Sequence, residues 1–363
     1  MAFLMKKKKM KKQKMKNRIS NVSLDDIGRV LKELEPCEKI AIISDLNVYN
    51  LYYERCRQSL VAAGFKVEGY SFLPGEKNKN IDTYNNMLEF LSEKRITRGD
   101  LVIALGGGVT GDLAGFAAAT YLRGIRLCQI PTSLLSMVDS SIGGKTGINL
   151  KMGKNLAGAF YLPEIIIHDI TLLRTLPSKE WHNGHAELIK MGIISGSELF
   201  TEASKELGIM DEKMLSSLVY RSAELKQIIS DKDLRDNGYR HILNLGHTVG
   251  HAIEKLSNYE ISHGEAVCKG ISVILRISEL LNYCSTETST KIRETLINCK
   301  FNLDIGFSSN QISDAVKNDK KVIGDQISLI MIEEIGRCRI VNMGLKEFDK
   351  ILDTALKGAG INE

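Results

Sequence analysis

The chain has seven histidines, and three of them crowd one region. In the run Arg240-His-Ile-Leu-Asn244-Leu-Gly-His247-Thr-Val-Gly-His251, His247 and His251 stand one helical turn apart and so share a face. His263-Gly264-Glu265 opens the next helical pattern. Upstream, His185-Ala-Glu187-Leu-Ile-Lys190 places Glu187 and Lys190 on one helical face. Two imidazoles and one carboxylate make a common catalytic zinc set, with a coordination position left open for substrate. Spacing alone leaves open which two of His247, His251 and His263 would bind, and whether Glu187 joins them. Thr248 follows His247, so the H-E-x-x-H protease motif is absent. His168, His182, His185 and His241 have no such grouping and read as structural or exposed residues.

A second feature is Gly106-Gly-Gly-Val-Thr-Gly111-Asp112, which follows the apolar run Leu101–Leu105. Gly106, Gly108 and Gly111 satisfy G-x-G-x-x-G in the required setting, a strand before and a helix after. Such a turn lets backbone approach a pyrophosphate, whose charge meets the N–H groups of a helix start. The ordinary dinucleotide fold also supplies an acid about 20 residues on for the ribose. That region here is Ile125-Arg-Leu-Cys-Gln-Ile130, with no acid. Asp45, or Glu76 and Lys79 in Pro74-Gly-Glu-Lys-Asn-Lys79, are the alternatives.

Third comes a stretch rich in small residues, Pro131 to Gly147, followed by Gly153-Lys154-Asn155. Gly144-Lys145-Thr146 mimics the end of a P-loop, but the first glycine of that motif would fall at Asp139. What remains is Asp139, Lys145 and Lys154 among turn formers, a composition suited to a loop that grips an anion.

These residues need a frame. From Lys39 to about Leu176 apolar runs alternate with amphipathic stretches. Strands are expected near 39–44, 66–72, 101–105 and 125–130, and helices near 51–64, 81–94 and 112–121. That alternation predicts an α/β N-terminal domain with a Rossmann-like, mostly parallel sheet. After Leu176-Pro177 helical patterns dominate, at about 184–207, 211–230, 247–257, 263–284 and 287–300, with one late hairpin from Ile327 to Val341. The expected organisation is therefore a Lys-rich tail over 1–20, an α/β domain over 21–180 and a mainly α-helical domain over 181–363.

Bulk composition narrows the class. Hydrophobic content of 43% and charged content of 26% are those of a globular protein. No apolar run approaches the roughly 18–20 residues of a membrane span. The seven cysteines are scattered, with no C-x-x-C, which points to a reducing cytoplasm. Lys6 to Lys9, Lys11, Lys12, Lys14, Lys16 and Arg18 carry nine positive charges, so the net +5 leaves −4 for the rest of the chain. The basicity belongs to a tail, and no nucleic-acid face is expected. No apolar stretch follows these charges, so no signal peptide is expected either.

Taken together these blocks closely resemble the 3-dehydroquinate synthase family of sugar phosphate cyclases. The resemblance rests on Pro74-Gly-Glu-x-x-Lys79, Gly106-Gly-Gly-Val-x-Gly-Asp112, Tyr121-x-Arg123-Gly and the run from Pro131 to Gly147. It continues through Gly153-Lys-Asn155, Leu176-Pro177, Ala186-Glu-x-Ile-Lys190, Arg240 to His251, His263-Gly-Glu265 and Asp319-Lys-Lys321. It implies the dehydroquinate synthase-like fold, NAD and Zn2+ or Co2+ as cofactors, and the substrate 3-deoxy-D-arabino-heptulosonate 7-phosphate. By that likeness the product forms through transient oxidation by NAD, phosphate elimination, re-reduction and an internal aldol, a step of the shikimate pathway to aromatic amino acids. Glu187, His247 and His263 would be the metal ligands. Arg123, Asp139, Lys145, Lys154, Asn155, Lys190, Lys226, Arg240, Asn244 and His251 would line the substrate pocket. NAD would lie against Pro74, Gly75, Glu76, Lys77, Asn78 and Lys79, and against Gly107, Gly108, Val109, Thr110, Gly111 and Asp112. Thr132, Ser133, Lys145, Lys154, Leu172, Leu173, Arg174 and Thr175 would complete its contacts. The likeness also accounts for the missing ribose acid, because the family does not use that position. A homodimer and a small-molecule substrate are expected, with no membrane partner. His185, Trp181-His182-Asn183 and Leu162 depart from the family's usual residues, and the lysine tail has no counterpart there. The rival readings are another sugar phosphate cyclase, a metal-dependent polyol dehydrogenase, and a tail-driven nucleic-acid binder.

Overall fold

The computed structural model describes residues 18–317, 322–323 and 325–357. Residues 1–17 of the lysine run and the Asp319-Lys320-Lys321 block lie outside them. The chain divides into two compact units, Met1–Pro177 with Lys226–Arg235, and Ser178–Leu225 with Asp236–Glu363.

The first unit holds β1 (Arg18–Asn21), α1 (Ile27–Leu31), β2 (Lys39–Asp45), α2 (Leu46–Ala62), β3 (Lys66–Phe72), α3 (Ile81–Glu93), β4 (Leu101–Gly106), α4 (Gly108–Thr120), β5 (Arg126–Pro131), β6 (Lys145–Leu150), β7 (Gly153–Phe160) and β8 (Ile165–His168). Six strands form one sheet in the order β1-β8-β5-β4-β2-β3, and every pairing in it is parallel. Successive side chains of a strand point to opposite faces, so a continuous apolar run needs cover on both. Ile40, Ile42, Leu101, Ile103 and Leu105 pack with Cys56 and Leu60 of α2 on one face. Ala41, Ile43, Val102 and Ala104 pack with Met87 and Leu91 of α3 and Ala114 and Ala117 of α4 on the other.

Two local expectations change. The last residues of the expected tail form a strand: Arg18–Asn21 pairs in parallel with β8, and the Val22 amide donates to the His168 carbonyl at 3.0 Å. An open sheet edge captures backbone whatever charges surround it. The stretch expected as a loop folds instead into an antiparallel hairpin of β6 and β7, with Lys145 opposite Phe160.

The strand order carries a functional consequence. The chain runs from β2 outward to β3, then returns to the other side of β2 for β4, which makes a switch point between β2 and β4. Ligands of open parallel sheets bind beyond the carboxyl ends of the strands at such a point. Asp45 ends β2 and Gly106 ends β4. Pro74–Lys79 follows β3, Thr132 and Ser133 follow β5, and Leu172–Thr175 follows β8. Segments scattered from Asp45 to Thr175 thus share one sheet edge.

β8 ends in His168, which is buried and has no hydrogen-bond partner at either ring nitrogen among the described residues. Burial pushes its pKa down from 6.5 to about 4. The unfolded chain takes up that proton first, so the contribution is whole above about pH 6.5 and is lost as pH falls toward 4. Its size is roughly 3 kcal/mol. His168→Leu should flatten the fall in thermal stability between those pH values, read by calorimetry. An unchanged slope would show that other groups set it.

The second unit holds α5 (Ser178–Ser195), α6 (Ser197–Ala203), α7 (Glu212–Lys232, whose end belongs with the first unit), α8 (His247–Leu256), α9 (His263–Leu280), α10 (Thr286–Asn298), α11 (Ser309–Lys317), β9 (Val322–Ile323), β10 (Gln326–Glu334), β11 (Arg337–Gly344) and α12 (Leu345–Lys357). The expected single helix over 184–207 is two, broken at Gly196, whose φ of +134° no helix contains. The late hairpin is β10 with β11, extended by β9 into a three-stranded antiparallel sheet. No described helix is long and apolar enough to cross a membrane.

Candidate metal centre and nucleotide edge

Helices α5, α8 and α9 build the first cluster, within the second unit. They approach closely because small residues stand where they meet. A Cβ on Gly250 of α8 would lie 2.9 Å from the Ala266 carbonyl of α9, and one on Gly264 would lie 2.7 Å from the Asn183 Cα of α5. Only hydrogen fits there, and the closeness lets side chains on three helices converge.

Glu187 is fully buried on α5. Its Oε1 lies 3.6 Å from His247 Nε2 and 3.6 Å from His263 Nε2. A tetrahedral ion with bonds of about 2.0–2.1 Å separates its ligands by roughly 3.3–3.4 Å, so the Glu187 oxygen stands at nearly that spacing from each imidazole, and the three ligand atoms all lie within 4.8 Å of one another. The remaining ring nitrogens are occupied elsewhere. His247 Nδ1 lies 3.0 Å from the Leu245 carbonyl, to which it donates when Nε2 is left free to bind. His263 Nδ1 faces Glu254 Oε2 at 3.4 Å. A second set, His251, Glu254 and His263, also has its ligand atoms within 4.8 Å of one another, and it shares His263 with the first. His251 stands beside both other histidines, its ring 5.3 Å from that of His247 and 6.1 Å from that of His263.

The cluster favours positive charge. Lys190, one turn along α5 and almost fully buried, pairs with Glu187 Oε2. Burial works against a charged His263, yet the Glu187 and Glu254 carboxylates outweigh it and hold the imidazolium up to about 10. A divalent ion would take the place of that proton. Arg240 is buried and Asn244 half-buried, both on the 3-10 turn Tyr239–Asn244 that leads into α8.

The other histidines do structural work. His185 Nε2 lies 2.7 Å from the Ala203 carbonyl, and burial pushes the ring down to about 4. His182 stacks on Phe301 at 4.0 Å, and His241 Nε2 lies 2.7 Å from the Asp236 carbonyl.

The second cluster lies on the sheet edge of the first unit. Helix α4 opens at Gly108, four residues earlier than expected, with Gly107 at its cap and no side-chain cap bond. Its first amides are therefore open to an anion. Asp45 caps α2 through the Asn47 and Val48 amides and accepts from Thr110 Oγ1 at 3.3 Å, which joins it to the glycine turn. Lys79, buried, pairs with Asp112 and donates to Asn155 Oδ1 at 2.6 Å. Asn149 ties the hairpin to the same loop, its amide donating to the Lys79 carbonyl at 2.8 Å and its Nδ2 to Glu76 Oε1 at 2.8 Å. Asp139 Oδ1 accepts from Lys226 Nζ at 2.5 Å. Ser133 Oγ meets Ser136 Oγ at 2.8 Å, and Tyr52 links the Leu172 carbonyl to Thr175 Oγ1. Lys145 and Asn155 are exposed, Lys154 half-buried, and Arg123 follows Leu122 in positive φ, at +64° and +51°.

Sequence reasoning singled out neither Asn149 nor Glu254. Asn149 acts through a hairpin the pattern did not announce, and Glu254 through a partner on the next helix.

Fold and clusters together define a protein with a parallel nucleotide-type sheet in one unit and a helical unit carrying a Glu/His cation centre. The 3-dehydroquinate synthase N-terminal model matches residues 70–183, and the corresponding C-terminal model matches 184–322. The 3-dehydroquinate synthase of Streptococcus gordonii is 41% identical over 343 residues, 92% of this chain and 95% of its own. That of Clostridium acetobutylicum is 40% identical over 335 residues, 91% and 93% of the two chains. The chain belongs to the 3-dehydroquinate synthase family. Among solved structures, 2-deoxy-scyllo-inosose synthase complexed with carbaglucose-6-phosphate, NAD+ and Co2+ superposes with a TM-score of 0.83 at 24% identity, over 93% of this chain and 96% of that one. An iron-containing alcohol dehydrogenase from Thermococcus thioreducens superposes at 0.67 with 14% identity, over 94% and 99% of the two chains. These likenesses extend to the fold.

Proposed function

We propose that this chain is a carbon–oxygen lyase converting 3-deoxy-D-arabino-heptulosonate 7-phosphate to 3-dehydroquinate and phosphate, with NAD and a divalent ion, Zn2+ or Co2+, as cofactors. The observation that carries the reading is Glu187 Oε1 standing 3.6 Å from both His247 Nε2 and His263 Nε2, in a chain about 40% identical to proteins named for that reaction. When bound, NAD would supply a hydride acceptor that is restored each turnover, and the ion a Lewis acid at the hydroxyl being oxidised.

The chain's own residues then have distinct tasks. Glu187, His247 and His263 would hold the ion. Lys79, pinned by Asp112 and Asn155, fixes the Pro74–Lys79 loop and the hairpin against the strand edge that would receive the nucleotide. The open amides of α4 suit its pyrophosphate. Arg123, Lys145, Lys154 and Arg240 would meet the substrate's phosphate and carboxylate, where charge-assisted hydrogen bonds are strongest. Lys190, Lys226, Asp139, Asn155, Asn244 and His251 would orient its hydroxyls. The same reading carries a homodimer in the cytoplasm.

The test is incubation with the heptulosonate phosphate, NAD and zinc. Phosphate and 3-dehydroquinate should appear in equal amounts; no phosphate release would overturn the assignment.

A further inference from the structure

We infer that Glu254 is a positioning residue for the metal centre, holding His263 in the tautomer and orientation that present Nε2 to the ion. The inference rests on the metal reading given above. His263 offers two nitrogens to two different neighbours. Nε2 lies 3.6 Å from Glu187 Oε1, on the side of the buried Glu187 and His247 donors, while Nδ1 faces Glu254 Oε2 at 3.4 Å. An imidazole that binds a cation through one nitrogen needs an acceptor for the N–H on the other, and a carboxylate there fixes the tautomer and raises the ring's basicity.

Glu254 is itself held in place. It lies in the last turn of α8 and is 8% exposed. Its carbonyl accepts from the Tyr259 amide at 2.8 Å and from Ser257 Oγ at 3.0 Å. Ser257 Oγ in turn accepts from the Ile261 amide at 3.2 Å, two residues before His263. The turn from α8 to α9 is thus pinned through the same residue that faces the imidazole.

The competing arrangement makes Glu254 a ligand, with His251 and His263. It would use His263 through Nδ1 and leave Glu187 and Lys190 as a buried ion pair with no part in binding. The fully buried Glu187, spaced equally from two Nε2 atoms, favours the first set.

The experiment measures Co2+ affinity of the full chain by chelator competition, with the Co2+ visible spectrum as the reporter of ligand geometry. Glu254→Ala should weaken binding about 10–100-fold, with circular dichroism confirming the fold. Glu254→Gln keeps an acceptor and should recover most of the loss with the wild-type spectrum; it also serves if the alanine variant does not fold. Wild-type affinity in folded Glu254→Ala, or equal loss in both variants, would overturn the inference. So would loss of Co2+ in His251→Ala with retention in Glu187→Gln, which would place the ion on the other set. Failure of the wild-type chain to bind Co2+ at all would instead sink the metal reading beneath it.

Discussion

His263→Ala is expected to strip the chain of its divalent ion and to lower turnover by about a thousandfold or more, while the fold survives. Lewis-acid assistance supplies several kcal/mol at the reacting oxygen, and each 1.36 kcal/mol is tenfold in rate. The fold should survive because His263 sits at the start of α9 with its side chain 27% exposed, while the helix is anchored further on by Val267, Ile271 and Ile274. Metal content after dialysis, together with kcat, reads the result. A variant that keeps both its zinc and its full rate would remove His263 from the site.

The second large effect concerns Lys190. Its ammonium and the Glu187 carboxylate are each 1% exposed and in contact. Removing one partner of such a pair destabilises by about 3–5 kcal/mol, because the other charge stays buried. Lys190→Met should therefore lower the thermal midpoint of the metal-free chain by roughly 10 °C, at about 2–4 °C per kcal/mol. Saturating zinc should recover part of the loss, since it brings positive charge to the same carboxylate. Calorimetry with and without zinc measures both arms. A metal-free midpoint unchanged by the substitution would mean that Lys190 does not neutralise Glu187.

What could be read from the chain, and what could not, divides along physical lines. Strand β4 declared itself because a strand covered on both faces is apolar throughout, and β2 by its apolar centre from Ile40 to Ile43. His247 and His251 declared themselves because helical spacing places them on one face. Spacing along α8 treats His247 and His251 alike and so does not choose between them as ligands. Glu254 was hidden for the same reason: its partner lies across a turn. The β6–β7 hairpin escaped notice because Gly147, Gly153 and Gly158 interrupt the alternation that signals a strand. Strand β1, Arg-Ile-Ser-Asn at the end of a basic run, is too short to announce itself and is specified by the edge of β8. The split at Gly196 is a single backbone angle inside a helical pattern.

The glycine turn illustrates how a weak signal becomes a strong one by placement. Alone it lacked the acid of the ordinary dinucleotide fold. In the sheet, the β2–β4 switch point sets Asp45 beside it, with Thr110 Oγ1 3.3 Å from the carboxylate. The acid beside the glycine turn is thus supplied by an earlier strand.

The proposed reaction involves no net redox change, because NAD is restored at each turn. The measurement that tests it most directly follows phosphate release and nicotinamide absorbance together, with NAD held far below the heptulosonate phosphate. Many phosphates should be released per NAD, with no lasting NADH. NADH accumulating in step with substrate consumed would contradict this and mark the chain as a polyol dehydrogenase.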